Sequence, residues 1–232
     1  SKIYMKNYPE TATERFDKAN FHIKYCLYSI RKFIKGNVLE VGAGCGSFTR
    51  NYYKTSLEKV TLTETDDKNI TNLKNNFSHK DNIEVLDLPV YKIDEKFDSI
   101  LYLHVLEHIK DDNKEIYEAT KKLKSGGYLI IMAPAHQKIY SNLDKAVGHY
   151  RRYEEDFFKK KFDNLELVKL KFLDSMGYVL YFLNKLVFSK ETFPSNFKIF
   201  LWDKIFTPIT IFFDFLTNYK IGKCIVAIYK KN

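Results

Sequence analysis

The chain is poor in cysteine, in proline and in long apolar runs. Its three cysteines, Cys26, Cys45 and Cys224, are odd in number and lack the spacing of metal ligands, which argues against a disulfide framework or a zinc module. A chain of this kind is expected in a reducing compartment, the cytoplasm. No run reaches the roughly 18 apolar residues of a membrane-spanning helix. Residues 1–10 are polar and are not expected to form a signal-peptide core.

The composition and the net charge limit the number of domains and the kinds of partner that are expected. Hydrophobic residues make up 45% of the 232 residues, so one elaborated domain or two small domains with a real core are expected. The net charge of +9 would suit nucleic acid or an anionic membrane as a partner. The lysines are dispersed along the chain, however, which favours ordinary solvated side chains. No nucleic-acid partner is therefore expected, and a peripheral membrane contact stays open.

Three of the nine glycines follow one apolar run, Val38–Val41, at positions Gly42, Gly44 and Gly46. The run suits a buried parallel strand, and the glycines allow a tight turn and a close approach of the backbone to a ligand. A helix is expected to begin at about Ser47 as its N-cap, with free N–H groups facing that ligand. Glu40 would repel a pyrophosphate and attract a ligand that carries an ammonium group.

Strand-like and helix-like segments alternate along most of the chain. Strands are expected at 37–42, 58–64, 82–86, 97–103, 127–133, 164–173 and 222–230, and helices at 10–35, 47–54, 66–77, 111–123 and 154–161. Residues 135–152 look like a loop, and 175–218 look like two amphipathic helices. The alternation predicts an α/β fold with a mostly parallel sheet, which binds ligands beyond the carboxyl ends of its strands. Glu40, Glu64, Asp87 and His104 fall at or near those ends.

Five ordered blocks carry a resemblance to a known family. They are Glu40–Gly46, with the pattern Glu-x-Gly-x-Gly-x-Gly, then Lys59–Glu64, Asn82–Asp87, Phe97–Ile109 and Leu123–Pro134. Their order and gaps resemble the class I S-adenosylmethionine (SAM)-dependent methyltransferases. The resemblance implies SAM as cofactor. It also implies a doubly wound, mostly parallel, seven-stranded Rossmann-like sheet, whose last strand is antiparallel between strands five and six.

The same resemblance divides the chain into four parts. Residues 1–35 would form a helical cover, 36–174 the SAM-binding core and 219–232 the last strand of that core. The helical insert between them, residues 175–218, is rich in phenylalanine and contains Trp202 and several lysines. It would serve as a lid, a dimer face or a membrane contact, and the oligomeric state stays open.

The resemblance also implies roles for single residues. Glu64 would hold the ribose hydroxyls of SAM, and His104 would lie near its methionine part. Glu40 would act directly, or through water or the loop backbone. The predicted cofactor site comprises Glu40, Gly42, Gly44, Gly46, Glu64, Asp87 and Leu88 near the adenine, and His104. No metal ligand is expected.

A segment after the fifth strand resembles one subgroup of this family. Ala133–Ala135 and Tyr140–Tyr153 are similar to a bacterial methyltransferase subgroup often encoded beside or fused to glycosyltransferases, which implies a saccharide or lipid-linked saccharide acceptor. His149 is the candidate general base, because histidine exchanges protons near neutral pH, and His104 is a second catalytic candidate. Alternatively, His149 and Tyr153 only pin the loop. Candidates for acceptor binding are Arg151, Arg152 and Tyr153.

The expected function is metal-independent, in-line methyl transfer from SAM to a hydroxyl of a small-molecule or saccharide-type acceptor. An amine, such as that of an amino sugar, is an alternative acceptor. A nicotinamide-dependent oxidoreductase would use a similar glycine turn, but Glu40 and the Asp87 block argue against it. A SAM-fold protein that has lost catalysis and only binds a partner is a further alternative, and the intact acidic positions argue against that one.

Overall fold

The computed structural model describes residues 18–187 and 195–232. The strands are β1 (Asn37–Val41), β2 (Lys59–Thr63), β3 (Ile83–Leu86), β4 (Phe97–Leu103), β5 (Leu123–Pro134), β6 (Leu165–Leu173) and β7 (Cys224–Lys231). The helices are α1 (Asn20–Tyr28), α2 (Ser47–Tyr52), α3 (Asp67–Phe77), α4 (Asp112–Lys122), α5 (Asn142–Ala146), α6 (Glu155–Lys159), α7 (Ser175–Val187), α8 (Asn196–Leu201) and α9 (Thr207–Leu216). A π-helical turn, Trp202–Phe206, joins α8 to α9 without a break.

The strands form one seven-stranded sheet in the order β3-β2-β1-β4-β5-β7-β6. The pairings among β1 to β5 are parallel, and β7 runs antiparallel to both β5 and β6. This topology confirms the predicted fold class, including the position of the last strand. The order reverses between β1 and β4, where a crevice opens beyond the carboxyl ends of the strands.

Alternate residues of the central strands face two apolar cores. On β1, Leu39 and Val41 pack in one core with residues of α4 and α6, whereas Val38 packs in the other with residues of α1, α2 and α3. Neighbours on β4 are buried on both faces, as Ile100 and Leu101 show. Burial on both faces explains why these strands are almost continuously apolar, and it fixes the loops that follow them.

Two segments differ from the sequence-based prediction. The helix expected over 10–35 is observed as α1 and a separate 3₁₀ turn, Arg31–Phe33, and residues 10–17 lie outside the described part of the chain. After this turn the Ser99 hydroxyl, on β4, bonds to backbone groups of Phe33 and Lys35, just before β1 begins. Residues 135–152 are not simply a loop: they contain α5, where Ser141 and Asp144 cap the helix reciprocally.

The start of α2 also differs by one residue. Gly46, with a φ of 83°, is the N-cap, and Ser47 is the first helical residue. A Cβ on Gly46 would lie 2.6 Å from the ring of Phe77 and 3.0 Å from Leu73, both on α3. Glycine at this position therefore allows both the left-handed turn and the close packing of α2 on α3.

Replacing Gly46 by alanine is expected to lower the free energy of unfolding by about 2–5 kcal/mol, because the left-handed conformation costs an L-residue about 1–2 kcal/mol and overpacking adds about 1–3 kcal/mol. Gly44→Ala is the matched control: Gly44 also has a positive φ, but nothing lies within 4 Å of its Cβ. It should lose only about 1–2 kcal/mol. Urea unfolding of the ligand-free protein measures both. Equal losses would contradict the packing role of Gly46.

Candidate active site

A cavity of about 390 Å³ opens beyond the carboxyl ends of β1, β2 and β4. Loops after these strands line one part, and residues of α1, α5, α7 and the π-helical turn line the rest. The predicted site residues in its wall are Glu40, Gly42, Gly44, Glu64, Leu88, His104, His149 and Arg152. Further polar or aromatic lining residues are His22, Glu107, His108, Asp144, Asp174, Tyr181, Trp202 and Lys223.

Glu40 lies almost fully buried in β1, next to the glycine loop. Its carboxylate accepts hydrogen bonds from Thr49 Oγ1 at 2.6 Å and from the Tyr52 hydroxyl at 2.7 Å, both on α2. Burial raises the pKa of Glu40 to about 7, and the two hydrogen bonds oppose this only in part. Glu40 therefore ties β1 to α2 while it also lines the cavity.

Glu64 fastens the tip of the glycine loop. Its carboxylate accepts the backbone N–H of Gly44 at 2.8 Å, and those of Thr65 and Asp66 at 2.7 and 3.1 Å. A carboxylate offers about four lone-pair sites, so Glu64 can hold the loop and still accept hydrogen bonds from neighbouring hydroxyls. This geometry suits the role predicted for Glu64.

Two predicted cofactor residues do not reach the cavity. Asp87 is exposed and lies outside the lining, whereas the next residue, Leu88, is part of it. Successive side chains of an extended segment point to opposite sides, and here Leu88 takes the cavity side. Gly46 is also outside the lining, because its place is at the contact between α2 and α3.

His104 ends β4 in an unusual backbone conformation, with a φ of 60°. Its N–H donates to the carbonyl oxygen of Met132 at 2.8 Å, which fixes this conformation. Left-handed non-glycine residues persist only where their surroundings enforce them, and they cluster at functional sites. The ring lies 6.2 Å from that of Phe48, and Nδ1 lies 3.7 Å from Glu107 Oε1. His104 is thus fixed in the cavity wall.

His149 is held by a buried carboxylate. Its Nδ1 lies 2.7 Å from Asp144 Oδ1, and Arg152 Nε donates to the same oxygen at 2.9 Å. Burial opposes ionisation of Asp144, but the hydrogen bond from His149 and the charge of Arg152 outweigh it and lower its pKa to about 2. The capping of α5 positions Asp144, so the same side chain fixes both the helix and the imidazole.

Glu107 faces the other ring nitrogen of His149, with Oε1 3.9 Å from Nε2. This carboxylate is buried, and within the described residues its Oε2 has no hydrogen-bond partner. Burial opposes its ionisation, yet the nearby imidazoles of His104, His149 and His108 lower its pKa. Sequence reasoning missed both Glu107 and Asp144. The signal was present, since each lies within five residues of a predicted histidine.

The three residues predicted to bind the acceptor lie in different surroundings. Arg152 lines the cavity, but it is buried and bonded to Asp144. Arg151 pairs with Asp112 outside the cavity lining. Tyr153 is 2% exposed, and its hydroxyl lies 3.0 Å from Asp112 Oδ2. Arg151 and Tyr153 both fasten the segment to α4, because their polar groups meet the buried carboxylate of Asp112, and their part in acceptor binding stays a prediction.

Glu107, His108 and His149 offer ligand atoms that lie within 4.8 Å of one another. An imidazole oriented by a carboxylate is frequent at metal sites, so this cluster could hold a divalent cation, although the sequence predicted no metal ligand. The half-buried ring of His108 lies 4.7 Å from that of His149, and loss of solvent around it lowers its pKa to about 4. A cation here would occupy the nitrogen of His149 that could otherwise accept a proton.

Comparison with known families identifies the cavity. Residues 39–131, from β1 into β5, match the family model described as a methyltransferase domain. This segment is therefore assigned to the SAM-dependent methyltransferase domains, and the solved structures described below share the fold of the chain around it. This methyltransferase uses SAM as its cofactor, and the range of the match includes the glycine loop, Glu64 and His104.

Solved structures share the fold of the methyltransferase at low identity. Coclaurine N-methyltransferase bound to N-methylheliamine and S-adenosylhomocysteine has 14% identity and a TM-score of 0.63, over 91% of this chain and 72% of that one. The N-methyltransferase NodS from Bradyrhizobium japonicum, in complex with S-adenosylhomocysteine, has 15% identity and a TM-score of 0.58, over 92% of this chain and 86% of that one. A putative methyltransferase in complex with the Haloferax volcanii activator Trm112 has 10% identity and a TM-score of 0.64, over 93% of this chain and 92% of that one. No curated protein sequence matched significantly.

The lining residues of the methyltransferase fit SAM better than a pyrophosphate. Glu40 and Glu64 lie beside the glycine loop. The lysine and arginine of the lining, Lys223 and Arg152, are each paired with an aspartate. A carboxylate attracts a sulfonium or an ammonium group and repels a phosphate. Glu64 would hold the ribose, and Gly42 and Gly44 would let the loop backbone approach the cofactor.

Proposed function

We propose that the enzyme methylates a hydroxyl of a small-molecule or saccharide-type acceptor, with His149 as the general base. The pairing of His149 with Asp144 carries this proposal. A histidine whose Nδ1 is bonded to a carboxylate keeps its proton on that atom and accepts a proton at Nε2. The side chain of His149 lines the cavity, where an acceptor would lie beside the cofactor.

Bound SAM supplies an electrophilic methyl group on its sulfonium. The protein must hold the acceptor oxygen in line with that group and remove one proton. Asp144 and Glu107 place negative charge on both sides of the imidazole of His149. This charge would stabilise the imidazolium that forms when Nε2 takes the proton. The apolar lining residues Phe48, Leu103 and Val147 would exclude water from the reacting groups.

The saccharide class rests on the resemblance of residues 133–153 to methyltransferases encoded beside glycosyltransferases. An amine acceptor is the second candidate, and one observation favours it: the buried Glu107 Oε2 has no partner among the described residues and would attract an ammonium group. Two of the structurally similar proteins are N-methyltransferases, an activity that is stated of those proteins.

Two sugars that differ only in carrying a hydroxyl or an amine at the same carbon distinguish the two acceptor types. Each is incubated with the protein and SAM, and the products are analysed by mass spectrometry. Methylation of the amino sugar alone would overturn the hydroxyl proposal.

SAM is expected to bind with a dissociation constant of roughly a micromolar, about −8 kcal/mol. When the SAM concentration is 100 times the dissociation constant, SAM should stabilise the folded protein by about 2.7 kcal/mol and raise Tm by about 5–10 °C. NAD should produce no comparable shift, because Glu40 beside the glycine loop disfavours its pyrophosphate. Differential scanning calorimetry of the purified chain measures both. A shift with NAD and none with SAM would contradict the assignment of the cavity.

A further inference from the structure

An unusual apolar surface lies on the continuous helical rod formed by α8, the π-helical turn and α9. Its 21 residues, 196–216, span about 30 Å at 1.5 Å per residue. One side faces the protein, where Ile199, Asp203, Thr207, Thr210 and Asp214 are buried. The opposite side is the outer face, and its exposed apolar residues include Phe197, Phe200, Ile209, Phe212, Phe215 and Leu216. Monomeric proteins seldom leave so continuous an apolar surface open.

The charges of this segment are divided between the two sides. In the described residues 195–222 the acidic side chains are Asp203 and Asp214, and both are buried. Asp214 accepts hydrogen bonds from the hydroxyl of Tyr25 and from two backbone N–H groups, and Asp203 accepts one from the backbone of His22. The lysines Lys198, Lys204 and Lys220 are exposed. The ammonium group of Lys204 lies 2.9 Å from Asp203 Oδ2, and Lys220 follows the end of α9. The outer face is therefore both aromatic and positively charged.

We propose that the outer face binds an anionic lipid bilayer. A helix with phenylalanines on one side and lysines flanking them lies in the membrane interface, with its apolar side chains among the acyl chains and its ammonium groups near the phosphates. A second copy of this chain would bring like charges together and fits the face less well. Within residues 18–187 and 195–232, none of the helices has both the length and the apolar character needed to cross a bilayer. The attachment proposed is therefore peripheral.

The position of the outer face relates it to the active site. Trp202, in the same rod, lines the cavity and packs against His22 of α1, with ring centroids 4.1 Å apart and ring planes tilted by 39°. One side of this rod thus forms a wall of the cavity, and the other side would contact lipid. An acceptor carried on a lipid would then lie beside the cavity. Membrane attachment itself does not depend on which acceptor atom is methylated.

Co-sedimentation of the full chain with phosphatidylcholine vesicles, with and without phosphatidylserine, tests the proposal. Binding is expected to the anionic vesicles, and to weaken at high salt. The double variant Phe212→Ser and Phe215→Ser should bind at least tenfold more weakly. Lys198→Glu with Lys220→Glu should lose the preference for phosphatidylserine. Tyr117→Ser is the matched control, because Tyr117 is an exposed aromatic on α4, outside this face, and its binding should equal that of the wild type.

The stabilisation by SAM confirms that each variant is folded. A wild-type chain that is stabilised by SAM but does not sediment with either vesicle would overturn the proposal. Equal, salt-insensitive binding to neutral vesicles would overturn the anionic preference. A concentration-dependent dimer in light scattering, abolished by the serine double variant, would assign the outer face to a second copy of the chain and would also overturn it.

Discussion

Replacing His149 by alanine is expected to lower the rate of methyl transfer by about 10²- to 10⁴-fold, the usual contribution of a positioned general base. The affinity for SAM should be almost unchanged, because the glycine loop and Glu64 lie on other elements. Single-turnover rates at saturating SAM, with calorimetry of SAM binding, separate the two effects. His79→Ala is the matched control, since His79 is exposed after α3 and lies outside the cavity lining.

Two results would change the role of His149. A variant that retains most of the activity would show that the acceptor loses its proton by another route, such as to His104 or to water. Loss of wild-type activity on treatment with a chelator, restored by a divalent cation, would make His149 a metal ligand together with Glu107 and His108. The base proposal expects full activity in the presence of the chelator.

Replacing Glu64 by alanine is expected to weaken SAM binding by about 1–3 kcal/mol, the range for losing hydrogen bonds to a charged group. This corresponds to roughly 5- to 150-fold in the dissociation constant. The loss has two sources: the carboxylate would hold the ribose hydroxyls, and it already holds the backbone of Gly44. Isothermal titration calorimetry with SAM measures the change, and Glu84→Ala, an exposed acid on β3, is the matched control.

The variant Glu64→Gln separates the two sources. An amide can still accept the Gly44 N–H through its oxygen, but it carries no charge and accepts fewer hydrogen bonds. We expect both its affinity and its free energy of unfolding without ligand to fall between those of the wild type and of Glu64→Ala, because Oε2 accepts from Gly44 while Oε1 accepts from Thr65 and Asp66, and an amide keeps only one oxygen. A loss of affinity larger than the loss of stability then measures the part due to the ribose hydroxyls. An unchanged affinity in both variants would remove Glu64 from the cofactor site.

Local patterns were sufficient to predict the central strands and the position of the glycine loop, whereas the place of the last strand in the sheet was implied by the family resemblance. Buried parallel strands are apolar on both faces, and the loop needs residues without a Cβ, so both features are written in neighbouring residues. Glu64 and His104 were also predicted to be in the site, because each comes at the end of a strand and the ends of parallel strands meet at one edge.

Side-chain direction outside the strands depended on contacts between distant segments. Asp87 and Leu88 are adjacent in the sequence, but only Leu88 reaches the cavity. Arg151 and Arg152 are likewise adjacent, and one pairs with Asp112 while the other pairs with Asp144. The spacing of residues gives the position of a loop along the chain, but not which of two neighbouring side chains the rest of the protein turns inward.

The periodicity of the sequence determined the fold class and the edge of the sheet at which ligands are expected, because these depend on residues close in the chain. The cofactor class followed from the resemblance of five ordered blocks to a known family. The tertiary structure decided which groups surround His149. Asp144 reaches it within one segment, but Glu107 comes from the region after β4, 42 residues earlier, as the numbering shows. In the folded protein both acidic side chains of residues 195–222, Asp203 and Asp214, are buried, whereas most of the phenylalanines of this segment are exposed. Such pairings depend on how whole helices and strands pack together, and a local pattern of residues does not predict that packing.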